Sequence, residues 1–215
     1  MWWFDSAGDD WKIYANISDV DSNLAINDTL NFTVNTLTGF VVDYSSLNFA
    51  TLVAGSHNQT PVNHFTLNNA GNVDITLGNI EVNATDLVGE TTHDKFLLAG
   101  NFSASPYTGN KIECNVSGSA TALSNYTFTG IENTILPSGN YTVNDGTGQE
   151  QIYFCLREVG IELTQQQYST DSFGTWTIRI VLVALSVRRK KKKQNSEKYS
   201  NLTIPATIFT KKLYL

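Results

Sequence analysis

Asparagine followed two residues later by serine or threonine is the residue pattern in this chain with the most definite chemistry, because that triplet is the acceptor for N-linked glycan. It occurs ten times, at Asn16, Asn27, Asn31, Asn58, Asn83, Asn101, Asn115, Asn125, Asn140 and Asn201, never with proline in the middle. From 22 asparagines and 42 serines and threonines in 215 residues, chance supplies about four. The excess points to a glycosylated, secreted surface. The competing reading is that Asn and Thr are both abundant in polar strands and turns. Cys114 and Cys155 sit in strand-like contexts, Lys-Ile-Glu-Cys-Asn-Val and Gln-Ile-Tyr-Phe-Cys-Leu. In an extracellular chain an even pair of this kind makes one disulfide, and closing a loop of about forty residues stabilises a fold by roughly 3 to 4 kcal/mol. The alternative is two buried free thiols, which a β core readily hides.

Other reactive side chains are sparse. His57, His64 and His93 share no metal-ligand spacing with one another or with the cysteines, so a metal centre is not expected. Asp19-Val20-Asp21-Ser22-Asn23 alternates oxygen ligands as a calcium loop does, but its sixth position is Leu24 and its twelfth Leu30, which makes a turn the expectation. No Gly-Xaa-Ser-Xaa-Gly elbow, no phosphate-cradling glycine loop followed by Lys-Ser/Thr and no His-Glu-Xaa-Xaa-His is present. Glu132, Glu150, Glu158 and Glu162 are enough carboxylates for a glycosidase dyad, whose separation only a fold can set. No catalytic residue and no cofactor is expected. Trp2 and Trp3, near a terminus, are placed for contact with a sugar or a partner, whereas Trp11 and Trp176 alternate with apolar neighbours and belong in a core.

Those residues must be positioned by an acidic body carrying a basic tail. Up to Val187 there are five basic residues, Lys12, Lys95, Lys111, Arg157 and Arg179, against nineteen acidic; from Arg188 onward there are nine against one. The body's sign argues against nucleic acid, whose phosphates require a positive footprint, while the tail can touch an anionic surface. Met1-Trp2-Trp3-Phe4 is too short an apolar run, and lacks the basic leader, for a signal peptide. Trp176–Val187 is apolar but covers only about 18 Å as a helix, against a hydrocarbon core near 30 Å, so a strand followed by a solvated tail is expected.

Period-two alternation recurs along the chain. Trp11, Ile13, Ala15 and Ile17 oppose Lys12, Tyr14, Asn16 and Ser18, giving an expected first strand of the sandwich. Leu30, Phe32 and Val34 follow, then Phe40-Val41-Val42 and Leu47–Leu52. Phe65 to Leu87 reads as strand, turn, strand, with Val73, Ile75 and Leu77 resuming the alternation and Ile80, Val82 and Ala84 continuing it. Lys111–Ser117, Tyr126–Phe128, Tyr141–Val143 and Gln151–Leu156 complete the expected strands, and Thr121-Ala122-Leu123 fits one helical turn. Glycines punctuate these runs every seven to sixteen residues or so, the pattern of an antiparallel β-sandwich with short turns and little helix. The organisation expected is an N-terminal segment over 1–10, a β-sandwich over 11–187, as one body or as two sub-sandwiches meeting near 90–110, and a basic tail over 188–215.

The stretches Leu67-Asn-Asn-Ala-Gly-Asn-Val-Asp-Ile75, Val82-Asn-Ala-Thr-Asp-Leu87, Gly148-Gln-Glu-Gln-Ile-Tyr-Phe-Cys-Leu156, Gln167-Tyr-Ser-Thr170 and Gly174-Thr-Trp-Thr-Ile178 together resemble secreted immunoglobulin-like β-sandwich proteins of archaeal cell surfaces. The likeness covers most of residues 11 to 187. The strand-turn-strand around Gly71 is also similar to biofilm-matrix proteins of the camelysin type. The resemblance implies a non-enzymatic, glycosylated adhesion or structural module, outside the cell or on its surface, whose partners are cell-envelope or matrix proteins or glycans. Two alternatives stand beside it: a carbohydrate-binding module using the terminal tryptophans, and a filament subunit assembling by β-strand addition.

Overall fold

Strict alternation folds into strands here where the backbone is also free to pair. The computed structural model describes residues 8–43, 46–143, 145–170, 174–181, 188–190, 199–201 and 208–213, with side-chain environments from Trp11 to Val181. Strands β1 (Gly8–Ser18), β2 (Leu24–Val34), β3 (Phe40–Val42), β4 (His57–Gln59), β5 (Phe65–Asn69) and β6 (Ile80–Ala84) come first. They are followed by β7 (Leu87–Gly89), β8 (Phe96–Leu97), β9 (Phe102–Ser105), β10 (Thr121–Ala122), β11 (Thr127–Gly130) and β12 (Gln149–Glu158). The last are β13 (Tyr168–Ser169), β14 (Trp176–Val181), β15 (Arg188–Lys190), β16 (Tyr199–Asn201) and β17 (Ile208–Leu213). The only helical residues among those described form two 3-10 turns, Ala99–Asn101 and Ile112–Cys114. The protein is all-β, and its strands pair antiparallel.

Two sheets enclose the core. One runs β10-β9-β12-β5-β3, with β4 on the β5 side of β12; the other runs β11-β6-β14-β17. Strand β12 is the spine of the first, its opening half bonded to β5 and its later half to β9 and β4. Its alternate residues Ile152, Phe154 and Leu156 point inward with Phe65, Leu67 and Phe102, while β6 and β14 contribute Ile80, Val82, Trp176, Ile178 and Ile180. Trp176 joins the layers: its ring meets Phe102 edge-on at 5.1 Å and lies 6.0 Å from Phe154, and its indole N–H donates to the Thr85 carbonyl at 2.8 Å. Burying each such side chain stabilises the fold by about 1.5–3 kcal/mol, and the indole bond keeps the one polar atom of Trp176 satisfied. A smaller sheet, β13-β7-β8, and a pair, β15-β16, complete the pairings.

Several expected strands take another form. β1 does not enter the sandwich. Among the described residues it pairs only with β2, and the two make a ribbon whose residues, except Trp11, Phe32 and Val34, are exposed where side chains are described. Residues 73–77 make a single bridge, Ile75 with Leu136, because neighbouring side chains claim the backbone. The Asn69 amide donates to the carbonyls of Val73 and Pro137 at 2.9 and 3.0 Å, and its oxygen accepts from the Gly71 N–H at 2.8 Å. Gly71 itself must be glycine, since a Cβ there would sit 2.3 Å from the Leu37 carbonyl oxygen. The Lys111–Ser117 run holds the 3-10 turn, Thr121–Ala122 is a strand where a helical turn was expected, and Tyr141–Val143 is a turn fixed by Asn140, whose side chain accepts from the Thr142 N–H and hydroxyl. Leu47–Leu52 forms no strand; its Asn48 carbonyl accepts from the Val62 N–H at 2.8 Å and its Asn48 N–H donates to the Asn63 side chain at 2.9 Å.

Candidate functional site

The outward face of β12 gathers most of the polar chemistry. Since Ile152, Phe154 and Leu156 face the core, Gln151, Tyr153, Cys155 and Arg157 face away. Over them lies the segment around Ile112–Cys114, held by Ser103 Oγ donating to the Glu113 carbonyl at 2.6 Å and by Ser105 Oγ donating to Ser119 at 3.0 Å. Cys114 and Cys155 form a disulfide here, Cα to Cα 5.2 Å, with both residues buried. It fastens the covering segment to the spine of the sheet. Glu113 is 5% exposed, and one of its carboxylate oxygens has no hydrogen-bond partner. Beside it, Tyr153 bonds Gln151 and lies 4.8 Å from the His64 ring. Burial raises the Tyr153 phenol, with the charges of Glu113 and Glu150 adding to the effect. Further along this face Gln149 donates to Asn68 at 2.9 Å, and Asn68 to Asp43.

Glu150 faces inward at the end of the sheet, opposite Leu67. Burial pushes its carboxyl up to about 7, against the opposing pull of the Ile135 N–H. On the outer face of the second sheet, Arg179 donates to Glu81 from both Nε and an NH2 group at 2.6 Å and lies 3.5 Å over the Phe128 ring. The sequence shows Arg179 only as a charge inside an apolar run; its partners are ninety-eight and fifty-one residues away in the chain. Pairing register brings them together.

The proposed carboxylate dyad does not assemble on β12. Glu150 and Glu158 lie eight residues apart on one strand, about 27 Å, far beyond the 5–9.5 Å that glycoside hydrolysis uses. Glu132 and Glu162 are exposed in turns. Asp19–Asn23 is a turn, closed by Asp19 accepting from the Asp21 and Asn23 N–H groups at 2.9 Å. His57 pairs with Glu158 at one end of β12 while His64 lies near its middle, and His93 is exposed in the Thr92–Lys95 turn. Among the described residues no group of three or more His, Cys, Asp or Glu side chains is placed to hold a metal ion. Trp2 and Trp3 lie outside the described residues.

The asparagine triplets divide by what their amides do. Asn16, Asn27, Asn31, Asn58 and Asn115 are exposed. Asn27 and Asn115, with half-buried Asn140, turn their side-chain oxygens back onto the N–H of the triplet's own Thr or Ser, which leaves the amide nitrogen outward. Asn125 is exposed, yet its amide nitrogen donates to Asp86 at 2.9 Å; that of half-buried Asn101 donates to the Glu158 carbonyl at 3.2 Å. Asn83 is half-buried, with its side-chain oxygen sealed from solvent. Asn201 lies in β16. A groove of about 860 Å³ opens elsewhere, between the Leu47–Ala54 loop and Leu163–Tyr168. Sequence reasoning missed it, because Leu47, Phe49 and Leu52 read as a strand; the clustered polar Gln165-Gln166-Gln167 was the available sign of a loop.

Fold and site together define a disulfide-stapled, antiparallel all-β module that displays several open asparagine triplets. No protein-family model, curated protein or solved structure matches the chain. No helix among the described residues is long and apolar enough to cross a membrane.

Proposed function

We propose that this chain is a non-enzymatic module of the extracellular space or cell envelope, an immunoglobulin-like sandwich that is N-glycosylated and serves a structural or adhesive role. Its partners are envelope or matrix proteins or glycans. The observation that carries the reading is the set of five exposed asparagine triplets whose amide nitrogens make no bond to another described residue, Asn16, Asn27 and Asn31 on the β1–β2 ribbon and Asn58 and Asn115 on the disulfide-stapled body. A disulfide of this kind persists in an oxidising compartment, where glycan transfer also takes place. Strand β12 of one layer packing through Trp176 onto the other layer supports the face-to-face sandwich. Glycopeptide mass spectrometry of natively produced protein tests the proposal. It is expected to find glycan on the five open asparagines and little on Asn83 and Asn101, whose amides are sealed or engaged. Bare asparagine at every triplet overturns it.

A further inference from the structure

We propose that the groove between Leu47–Ala54 and Leu163–Tyr168 is a docking site for an extended, uncharged peptide segment of a partner protein, which pairs with the open backbone of Phe49–Leu52. The inference deepens the envelope reading, on which it rests for the nature of the partner, by giving that partner a place to bind. The chain passes from Leu47 to Val53 with no turn, bend or residue at positive φ. Asn48 is tied at both its N–H and its carbonyl, by Asn63 and Val62. Beyond it the N–H and carbonyl groups of Phe49, Ala50, Thr51 and Leu52 bond to no described residue. On the facing wall the backbone groups of Gln165 and Gln166 are equally open among the described residues. Backbone donors and acceptors are obligatory bonding groups. Four open residues in a row, about 13 Å long as a strand, therefore offer an edge to which a peptide can add.

The side chains complete the site. Phe49, Leu52, Leu163 and Tyr168 pack against the core yet stay half-buried, Val53 is 70% exposed, and none of the residues lining the groove carries a charge. Its volume of about 860 Å³ lies within the range of sites that enclose a ligand. The occupant follows from which groups are free. An alkyl chain would cover the open N–H and carbonyl groups without bonding them, at a cost of roughly 1–3 kcal/mol each. A sugar is held by stacking on an open aromatic face, and both rings here are half-buried. The Gln166 amide is already engaged by Thr91, Thr92 and Thr164, and the Tyr168 hydroxyl donates to the Thr164 carbonyl. An acidic peptide is repelled by the acidic body, and a basic one finds no carboxylate in the groove. An uncharged peptide satisfies the backbone and buries its alternate apolar side chains on the floor.

The test is affinity selection by the full chain from a library of end-capped heptapeptides that alternate Val, Ile, Leu or Phe with Ser or Thr, followed by hydrogen exchange of the complex. Selected peptides are expected to bind with Kd of about 100 µM, to hold on equally at high salt because the groove is uncharged, and to slow amide exchange at Phe49–Leu52. N-methylation of one of the two alternate sets of peptide amides removes the ladder and weakens binding about tenfold. Val53→Asp and Gln165→Asp, both at exposed positions, weaken it likewise and leave the melting temperature unchanged, so that lost binding is not lost structure. No peptide selected at about 1 mM, equal binding by the parent and both N-methylated forms, slowed exchange confined to other segments, or palmitate or maltohexaose taking the groove in place of peptide overturns the proposal. Bare triplets in the glycopeptide map would remove the envelope reading and leave peptide binding standing; a groove that takes no peptide would do the reverse.

Discussion

Removing the Cys114–Cys155 bond tests how much of the stability comes from tethering the segment over β12. The cysteines are 41 residues apart, and the loop-entropy relation gives a loss of about 13 cal/mol/K from the unfolded chain, or about 3.9 kcal/mol at 25 °C. For a domain of this size each kcal/mol moves the melting temperature by about 2–4 °C, so the expected fall is about 8–16 °C. Because Cys155 is fully buried and Cys114 nearly so, reduction must be done in denaturant, followed by refolding under reductant. Calorimetry then compares oxidised protein, reduced protein and the Cys114→Ala/Cys155→Ala variant. The reduced protein keeps both sulfurs in place and isolates the tether; the double variant adds the small loss of packing. A reduced protein that melts within about 3 °C of the oxidised one would refute the argument, since the 3-10 segment would then be held by its Ser103 and Ser105 bonds alone.

Two further outcomes follow from charged groups. Glu150 is neutral in both folded and unfolded states well below pH 4.5; as pH rises from there to about 7 the unfolded chain ionises first, so stability falls across that window. The full linkage is on the order of 3 kcal/mol, and partial exposure to solvent reduces it to about 1–2 kcal/mol. Urea titrations at pH 4 and pH 8 should show Glu150→Gln gaining that much over wild type at pH 8 and almost nothing at pH 4; equal effects at both would contradict the assignment. Arg179→Met leaves half-buried Glu81 without its two donors and costs about 1–3 kcal/mol in denaturant unfolding. Arg179→Lys recovers only part, because an ammonium cannot fork to the carboxylate and lie flat on Phe128. Full rescue by lysine would show that charge alone matters.

Period two marked the core-facing residues correctly, Phe65 and Leu67, Ile80 to Ala84, Ile152 to Leu156 and Trp176 to Ile180, but β5 has no wet face: Thr66, Asn68 and Asn69 are buried too. The same signal misled at Val73–Leu77, where the Asn69 amide takes the Val73 carbonyl that a ladder would need and the stretch is held instead by Leu136 and Ser138, more than sixty residues away. Alternation in β1 predicted a strand correctly and its place wrongly, because period two records that two faces differ, not which object covers the apolar one. Cys114 was read in a strand and lies in a 3-10 turn, yet the pairing expected with Cys155 is present. Charge contacts such as Arg179 with Glu81 depend on register between distant strands, which composition does not carry.

One small structure at the root of the ribbon has a mechanical consequence. Asn72 grips the chain leaving β2 at three points: its side-chain oxygen accepts from the Leu37 N–H at 2.7 Å, its amide donates to the Asn35 carbonyl at 3.0 Å, and its own N–H donates to the Leu37 carbonyl at 2.9 Å. Gly71 lets the two backbones come that close. A pull on the ribbon's tip therefore loads three bonds together before it reaches β3 and β5, and bonds sharing a load yield at a higher force than bonds broken one after another. Tension entering through the hairpin arrives at this clasp, which makes Asn72 the fuse that decides whether the arm tears free or the body is drawn along with it.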